Sequence, residues 1–270
     1  MIEEIKKIAS AWLKTKKVDL LFGLKKETPY IFTTPDELNE LTINTNSPLL
    51  NVYRPVKRNI IYLFQEKYPD LKIGVIARAC DERAIIELAK LNQINLDKLE
   101  ILGIPCSKEM AIECRCPKPF PKTLNVGEKV EPEIQDLAIN TLLAKNLTER
   151  LNFWKYELSK CIKCYGCRNA CSLCTCQDCK MEQDEFVKTG RLPPEFPIFH
   201  FIRFYHLADK CVECGRCERA CPVGIPLLTI SKLLRVYVKE LFNYESGVDV
   251  NQKSPIVLNL DEAPIQQEKE

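Results

Sequence analysis

Residues 72–106 read KIGVIARACDERAIIELAKLNQINLDKLEILGIPC, and this stretch decides the fold. Lys72 to Ala77 holds Ile73, Val75, Ile76 and Ala77 in one run, the pattern of a strand buried on both faces. From Asp81 to Asn92, the residues Ala84, Ile85, Leu88, Ala89 and Leu91 share one side of a helix. Leu99 to Ile104 is a second apolar strand. Strand, helix and strand within about 33 residues make a βαβ unit, whose two strands should lie parallel in one sheet.

Outward from this unit, the preceding chain also alternates. An amphipathic helix spans Ile2 to about Leu13, and strands are predicted at Val18–Phe22 and Tyr30–Phe32. Thr34 as N-cap, Pro35 at the first helical position and Glu37 closing a capping box mark a helix start. Val52, Val56, Ile60, Ile61 and Phe64 predict a second helix over much of Leu49 to Tyr68. After Cys106 the periodicity lapses, and residues 106–132 carry Cys106, Cys114, Cys116 and four prolines. The fold class expected is α/β: a parallel-sheet domain over 1–132, a helical linker over 133–157, then a mostly helical domain over 158–245 and an extended tail over 246–270.

The 158–245 region is set by two cysteine runs, Cys161-x2-Cys164-x2-Cys167-x3-Cys171 and Cys211-x2-Cys214-x2-Cys217-x3-Cys221 followed by Pro222. In ferredoxin-type modules with this spacing, three thiolates hold one four-iron cluster and the fourth ligates the other. The expected sets are crossed: Cys161, Cys164, Cys167 and Cys221 for one 4Fe-4S cluster, and Cys211, Cys214, Cys217 and Cys171 for a second. A structural zinc competes for a single run, but two runs in the same order disfavour it. Between the runs, Ile198 to Leu207 reads as an aromatic helix that a compact strand-based ferredoxin has no place for, so helices should pack around the clusters. Leu227 to Tyr244 predicts another amphipathic helix, with Lys232, Arg235 and Lys239 on its charged side. The tail residues Pro255, Ile256, Val257 and Leu258 have few local means of burial and suggest docking on a partner.

Composition narrows the class. The 270 residues include 15 cysteines and carry a formal net charge of +2, so neither nucleic acid nor an anionic membrane is indicated as a partner. The opening MIEEIKKIAS mixes charge with apolar residues, unlike a secretory leader. No stretch approaches the ~20 apolar residues of a membrane span. These readings, with an odd cysteine count, place the thiols in a reducing, cytoplasmic setting.

Seven cysteines remain. Cys80 and Cys106 each follow the carboxyl end of a strand in the βαβ unit, and parallel strands bring those ends to one sheet edge, where open α/β sheets place ligands. Cys114 and Cys116 lie a short loop beyond. The competing reading of Cys80 is a small buried hydrophobe. Cys174, Cys176 and Cys179 either ligate a further cluster or a zinc, or exchange places with Cys114 and Cys116. Cys167-x3-Cys171-x2-Cys174 also matches the three-cysteine spacing of radical S-adenosylmethionine enzymes. That match is a by-product of overlap, and fewer than 100 residues follow it. His200 and His206, the only histidines, should lie on the rim of the aromatic helix. Gly23, Gly74 and Gly103 are isolated, so no phosphate-cradling loop is seen.

Several segments resemble the short iron–sulfur members of the β-subunit family of deazaflavin-reducing hydrogenases and formate dehydrogenases. They are Ile73–Ala84 around Cys80, Ile101–Cys106, Lys160–Cys171, and Ile198 to Ile225. The resemblance implies an electron-relay subunit with formate dehydrogenase, hydrogenase or heterodisulfide-reductase-like partner subunits. It further implies a cluster held by Cys80, Cys106, Cys114 and Cys116 in the α/β domain. The departures are Ser172 in place of the proline after the first run, and a shortened stretch between Cys106 and Cys114. The chain is also shorter than the flavin-binding β subunits. The leading expectation is an electron-transfer subunit of an anaerobic oxidoreductase; the alternative is a β subunit that itself binds flavin and reduces a small carrier.

Overall fold

A computed structural model of the chain describes residues 1–43, 60–134, 136–176 and 178–256. Of the positions expected to form the helix before Tyr68, Val52 and Val56 lie outside the described residues, while Ile60, Ile61 and Phe64 lie within them. The tail residues Val257 and Leu258 also lie outside.

The βαβ unit forms strand β4 (Ile73–Ala77), helix α3 (Ala79–Lys90) and strand β5 (Leu99–Gly103). The strands pair in parallel, with Ile73 opposite Leu99 and Ala77 opposite Gly103. Every residue of β4 is buried, which is why its sequence runs apolar without alternating. Before it come α1 (Ile2–Lys14), β1 (Leu20–Lys25), β2 (Thr28–Phe32), β3 (Leu41–Thr42) and α2 (Ile60–Lys67). The sheet order is β2-β1-β4-β5; β1 is parallel to β4 but antiparallel to β2 and to β3. The architecture is α/β with a mixed sheet and a helical C-terminal region. One core holds Ile5 and Ala9 from α1, Phe22 and Phe32 from the first hairpin, and Ile85 and Leu88 from α3.

Two local expectations change. Thr34 to Glu37 opens only a 3-10 turn, Asp36–Glu40, in place of a longer helix. The Glu37 carboxylate does reach back, accepting from the backbone N–H groups of Thr33 and Thr34 at 2.8 and 3.1 Å, but it also takes the Tyr30 hydroxyl at 3.2 Å. These bonds tie the turn to β2, and Leu41 then extends into β3. The long helix expected before the first cysteine run is two helices, α5 (Leu137–Leu143) and α6 (Leu147–Ser159). The break falls where Asn146 and Glu149 bond each other's backbone N–H groups at 3.0 and 2.9 Å, a capping box that starts a helix afresh.

Helix α4 (Lys108–Glu113) precedes that pair. After it come α7 (Gly166–Asn169), α8 (Ile198–Leu207), α9 (Arg216–Arg219) and α10 (Leu227–Phe242). Lys232, Arg235 and Lys239 on α10 are not a free charged face. Lys232 bonds Asp136 at 2.7 Å, Arg235 lies 3.7 Å from Glu213, and Lys239 lies 3.5 Å from Glu245. Past α10 the chain turns back over α3: the Gly247 N–H donates to Glu87 at 2.7 Å and the Tyr244 hydroxyl lies 3.2 Å from the same carboxylate. The Ile256 N–H donates to Asp209 at 3.0 Å, so the described start of the tail is held by its own chain. No described helix is long and apolar enough to cross a membrane.

Candidate metal centres

The two cysteine runs fold alike. Lys163 and Tyr165 adopt positive φ angles of 51° and 57°, and their counterparts in the second run, Glu213 and Gly215, adopt 56° and 70°. Three of these four are not glycine, and left-handed backbone costs such residues about 1–2 kcal/mol each. Such left-handed residues curve the loop so that backbone N–H groups face the sulfurs, a concave arrangement that suits an anion or an iron–sulfur group. Accordingly the N–H groups of Gly166, Glu213 and Ile225 lie 3.4 Å from the sulfurs of Cys164, Cys211 and Cys221. The following turns, α7 and α9, meet closely: a Cβ on Gly166 would sit 2.9 Å from the Ala220 carbonyl oxygen. Ser172 and Pro222 occupy the same turn after their runs, so the substitution leaves the local backbone alike.

Three groups of thiols assemble. Cys161 lies within electrostatic reach of Cys167, Cys164 and Cys221. Cys171, from the first run, lines one small cavity with Cys211, Cys214 and Cys217 of the second. Cys80, Cys106, Cys114 and Cys116 line another, together with Cys214. Cys214 therefore stands on the wall of both cavities.

The third group depends on the sheet. Cys80 and Cys106 each lie three residues beyond the paired positions Ala77 and Gly103, so register alone brings them to one edge. Cys80 falls in the first turn of α3. The loop carrying Cys114 and Cys116 leaves through α4, capped by Ser107, and returns beside β5. Gly103 permits that return, because a Cβ there would lie 1.6 Å from the Thr123 carbonyl oxygen. The buried Glu82 carboxylate accepts from the Lys122 and Thr123 N–H groups and holds the returning chain. Arg115, between the two cysteines, reaches Glu218 at 2.9 Å and Asp136 at 3.2 Å, binding this loop to the helical region.

Arginines, which the cysteine spacings do not reveal, attend these groups. Arg83 lies 3.7 Å from the Cys116 sulfur. Arg219 lies 3.6 Å from the Cys114 sulfur and donates to the Cys214 carbonyl at 2.8 Å, linking the loop of the third group to the second cysteine run. Arg203 lines the second group's cavity and donates to the Cys167 carbonyl at 3.0 Å. Burial pushes the Cys80, Cys211 and Cys217 thiols up, and Cys106 and Cys214 up to about 12. Thiols held this way keep their protons unless a bound metal cation takes their place.

Among the described residues, no group of three or more Cys, His, Asp or Glu converges tightly enough to hold one metal ion. The thiols of the second and third groups stand around cavities instead, a spread that suits a four-iron core bridging four thiolates. The donor set, the inward N–H groups and the arginine charge fit such clusters. Cys174, Cys176 and Cys179 line neither cavity. Cys174 packs on the sheet-side core, Cys179 lies beside Met181 and Val187, and Cys176 is exposed. His206 is exposed on its helix as expected, but His200 is buried, and burial holds its imidazole down at about 4. The His200 ring packs edge-on against Phe199.

Residues 204–226 match the 4Fe-4S binding domain family. The chain is 39% identical over 135 residues to the F420-dependent formate dehydrogenase subunit beta of Methanocaldococcus jannaschii, covering 49% of this chain and 35% of that one. It is 37% identical over 135 residues to the F420-dependent formate dehydrogenase 1 subunit beta of Methanococcus maripaludis, covering 48% of this chain and 34% of that one. The match thus spans about a third of the relatives' length. These findings relate the chain to iron–sulfur β subunits and support 4Fe-4S clusters as its cofactors.

Proposed function

We propose that this chain is an iron–sulfur electron-transfer subunit of a formate dehydrogenase-type oxidoreductase complex, with three adjoining four-iron sites. Cys161, Cys164, Cys167 and Cys221 hold the first, Cys171, Cys211, Cys214 and Cys217 the second, and Cys80, Cys106, Cys114 and Cys116 the third. A four-iron cluster, when bound, supplies a one-electron redox centre without making or breaking substrate bonds. The protein's part is then to hold thiolates, exclude water and set the local charge. The observation that carries this reading is the pair of cysteine-lined cavities sharing Cys214. That shared wall supports second and third sites lying side by side, as a relay requires.

Iron and sulfide analysis of the anaerobically prepared chain, with electron paramagnetic resonance, tests it. Three four-iron sites predict roughly twelve irons per chain. A ceiling of about eight would remove the third site. Cys221→Ser should abolish the signal of the Cys161 set and spare that of Cys211, Cys214 and Cys217, while Cys171→Ser should do the reverse. If each variant instead disturbs its own run, the two runs are independent modules.

A further inference from the structure

Arg203, on α8, is 4% exposed, bonds the backbone of the first thiol group and lines the cavity of the second. Its Nη2 donates to the Cys167 carbonyl at 3.0 Å, whereas its Nε and Nη1 have no hydrogen-bond partner among the described residues. Its strongest charge neighbours are the thiols of Cys167, Cys217, Cys174 and Cys171. Cys167 belongs to the first proposed site; Cys217 and Cys171 belong to the second. A buried guanidinium with idle donors is unfavourable unless an anion meets it. Four thiolates around an iron–sulfur core carry net negative charge, and reduction adds one more electron.

We infer that Arg203 is a shared redox-tuning residue, its guanidinium facing the sulfurs of both ferredoxin-type sites and favouring the reduced state of each. The inference rests on the cluster reading above. It acts by charge and by N–H donation to sulfur, two of the means by which proteins set cluster potentials.

Redox titration of the anaerobically reconstituted full chain, followed by electron paramagnetic resonance, tests it. Arg203→Met should lower the midpoints of both ferredoxin-type signals by about tenfold in reduction equilibrium constant, or about 59 mV for one electron. Arg203→Lys keeps the charge but loses the planar fork, and should give a smaller fall at both. Unchanged midpoints at full iron content, or a shift at only one site, would overturn the inference. A merely structural arginine would lower iron content without moving the midpoints of the loaded fraction. Should the methionine variant fail to load, pulsed resonance on chain carrying arginine labelled with ¹⁵N in the guanidinium alone decides, wild type against Arg203→Lys. Guanidinium coupling is expected at both reduced sites in the wild type and should fall at both in Arg203→Lys; a coupling pattern unchanged by that variant overturns the proposal. A wild-type chain with no reducible clusters overturns the cluster reading and this inference together.

Discussion

In the sheet region, Ile5, Leu21, Phe22, Phe32, Ile73 and Ile76 are fully enclosed and belong to one continuous core. Around the cysteine runs the enclosed apolar side chains form smaller clusters, Leu158 with Phe204, Ile225 and Leu227, and Met181 with Val187 and Phe199. The first region gains stability from apolar burial, which needs no ligand. The second surrounds cavities with thiols and one buried arginine, Arg203, so much of its cohesion must come from what those thiols hold. The regions are not independent: Leu173, Leu207 and Val212 pack into the sheet-side core. The sheet region thus serves as a platform for one side of the cluster-bearing region.

Metal removal should separate the two regions most sharply. Stripping iron from the loaded chain with a chelator should raise amide hydrogen exchange by orders of magnitude across residues 161–176 and 208–226, while β4 and β5 stay protected. Equal loss of protection in both would break the comparison. A smaller effect should follow Leu88→Ala, which opens the continuous core beneath α3 and should cost about 2–5 kcal/mol in chemical denaturation. The resonance signal of the Cys161 set should be unchanged in that variant. Gly103→Ala sharpens the boundary between platform and site. The added methyl meets the Thr123 carbonyl, so the returning loop must shift, at about 1–3 kcal/mol. About four irons should be lost from the third site with the other two retained. The smallest effect belongs to Ser246→Ala. Its hydroxyl donates to the Cys211 carbonyl at 2.6 Å, and thermal unfolding should show a loss of about 0.5–1.5 kcal/mol.

Much of the fold was legible because it is written in short-range pattern. The apolar runs around Ile73 and Leu99 specify parallel strands, and the aromatic stretch gives a helix with the expected bounds, Ile198–Leu207. The break at Asn146 was also available locally, since an Asn three residues before a Glu is a capping signal. Helix α4 was less visible, being a single short helix among prolines with only Ser107 to announce it. His200 was misplaced because ring chemistry suggests a rim position, whereas helix phase turns this ring inward beside Phe199.

The sequence by itself determined which residues can act as a unit along the chain: two cysteine runs of one spacing, and two cysteines each just past a parallel strand. It could do so because helix and strand periods and loop spacings are local geometry. The resemblance already implied that Cys114 and Cys116 join Cys80 and Cys106, which line one cavity; only the tertiary structure decided that Cys214 stands between that group and the next. Only it placed Arg203 beside thiols drawn from both cysteine runs. Such convergence depends on where packing carries each element, and a single arginine in an apolar helix has no spacing signal to declare its neighbours.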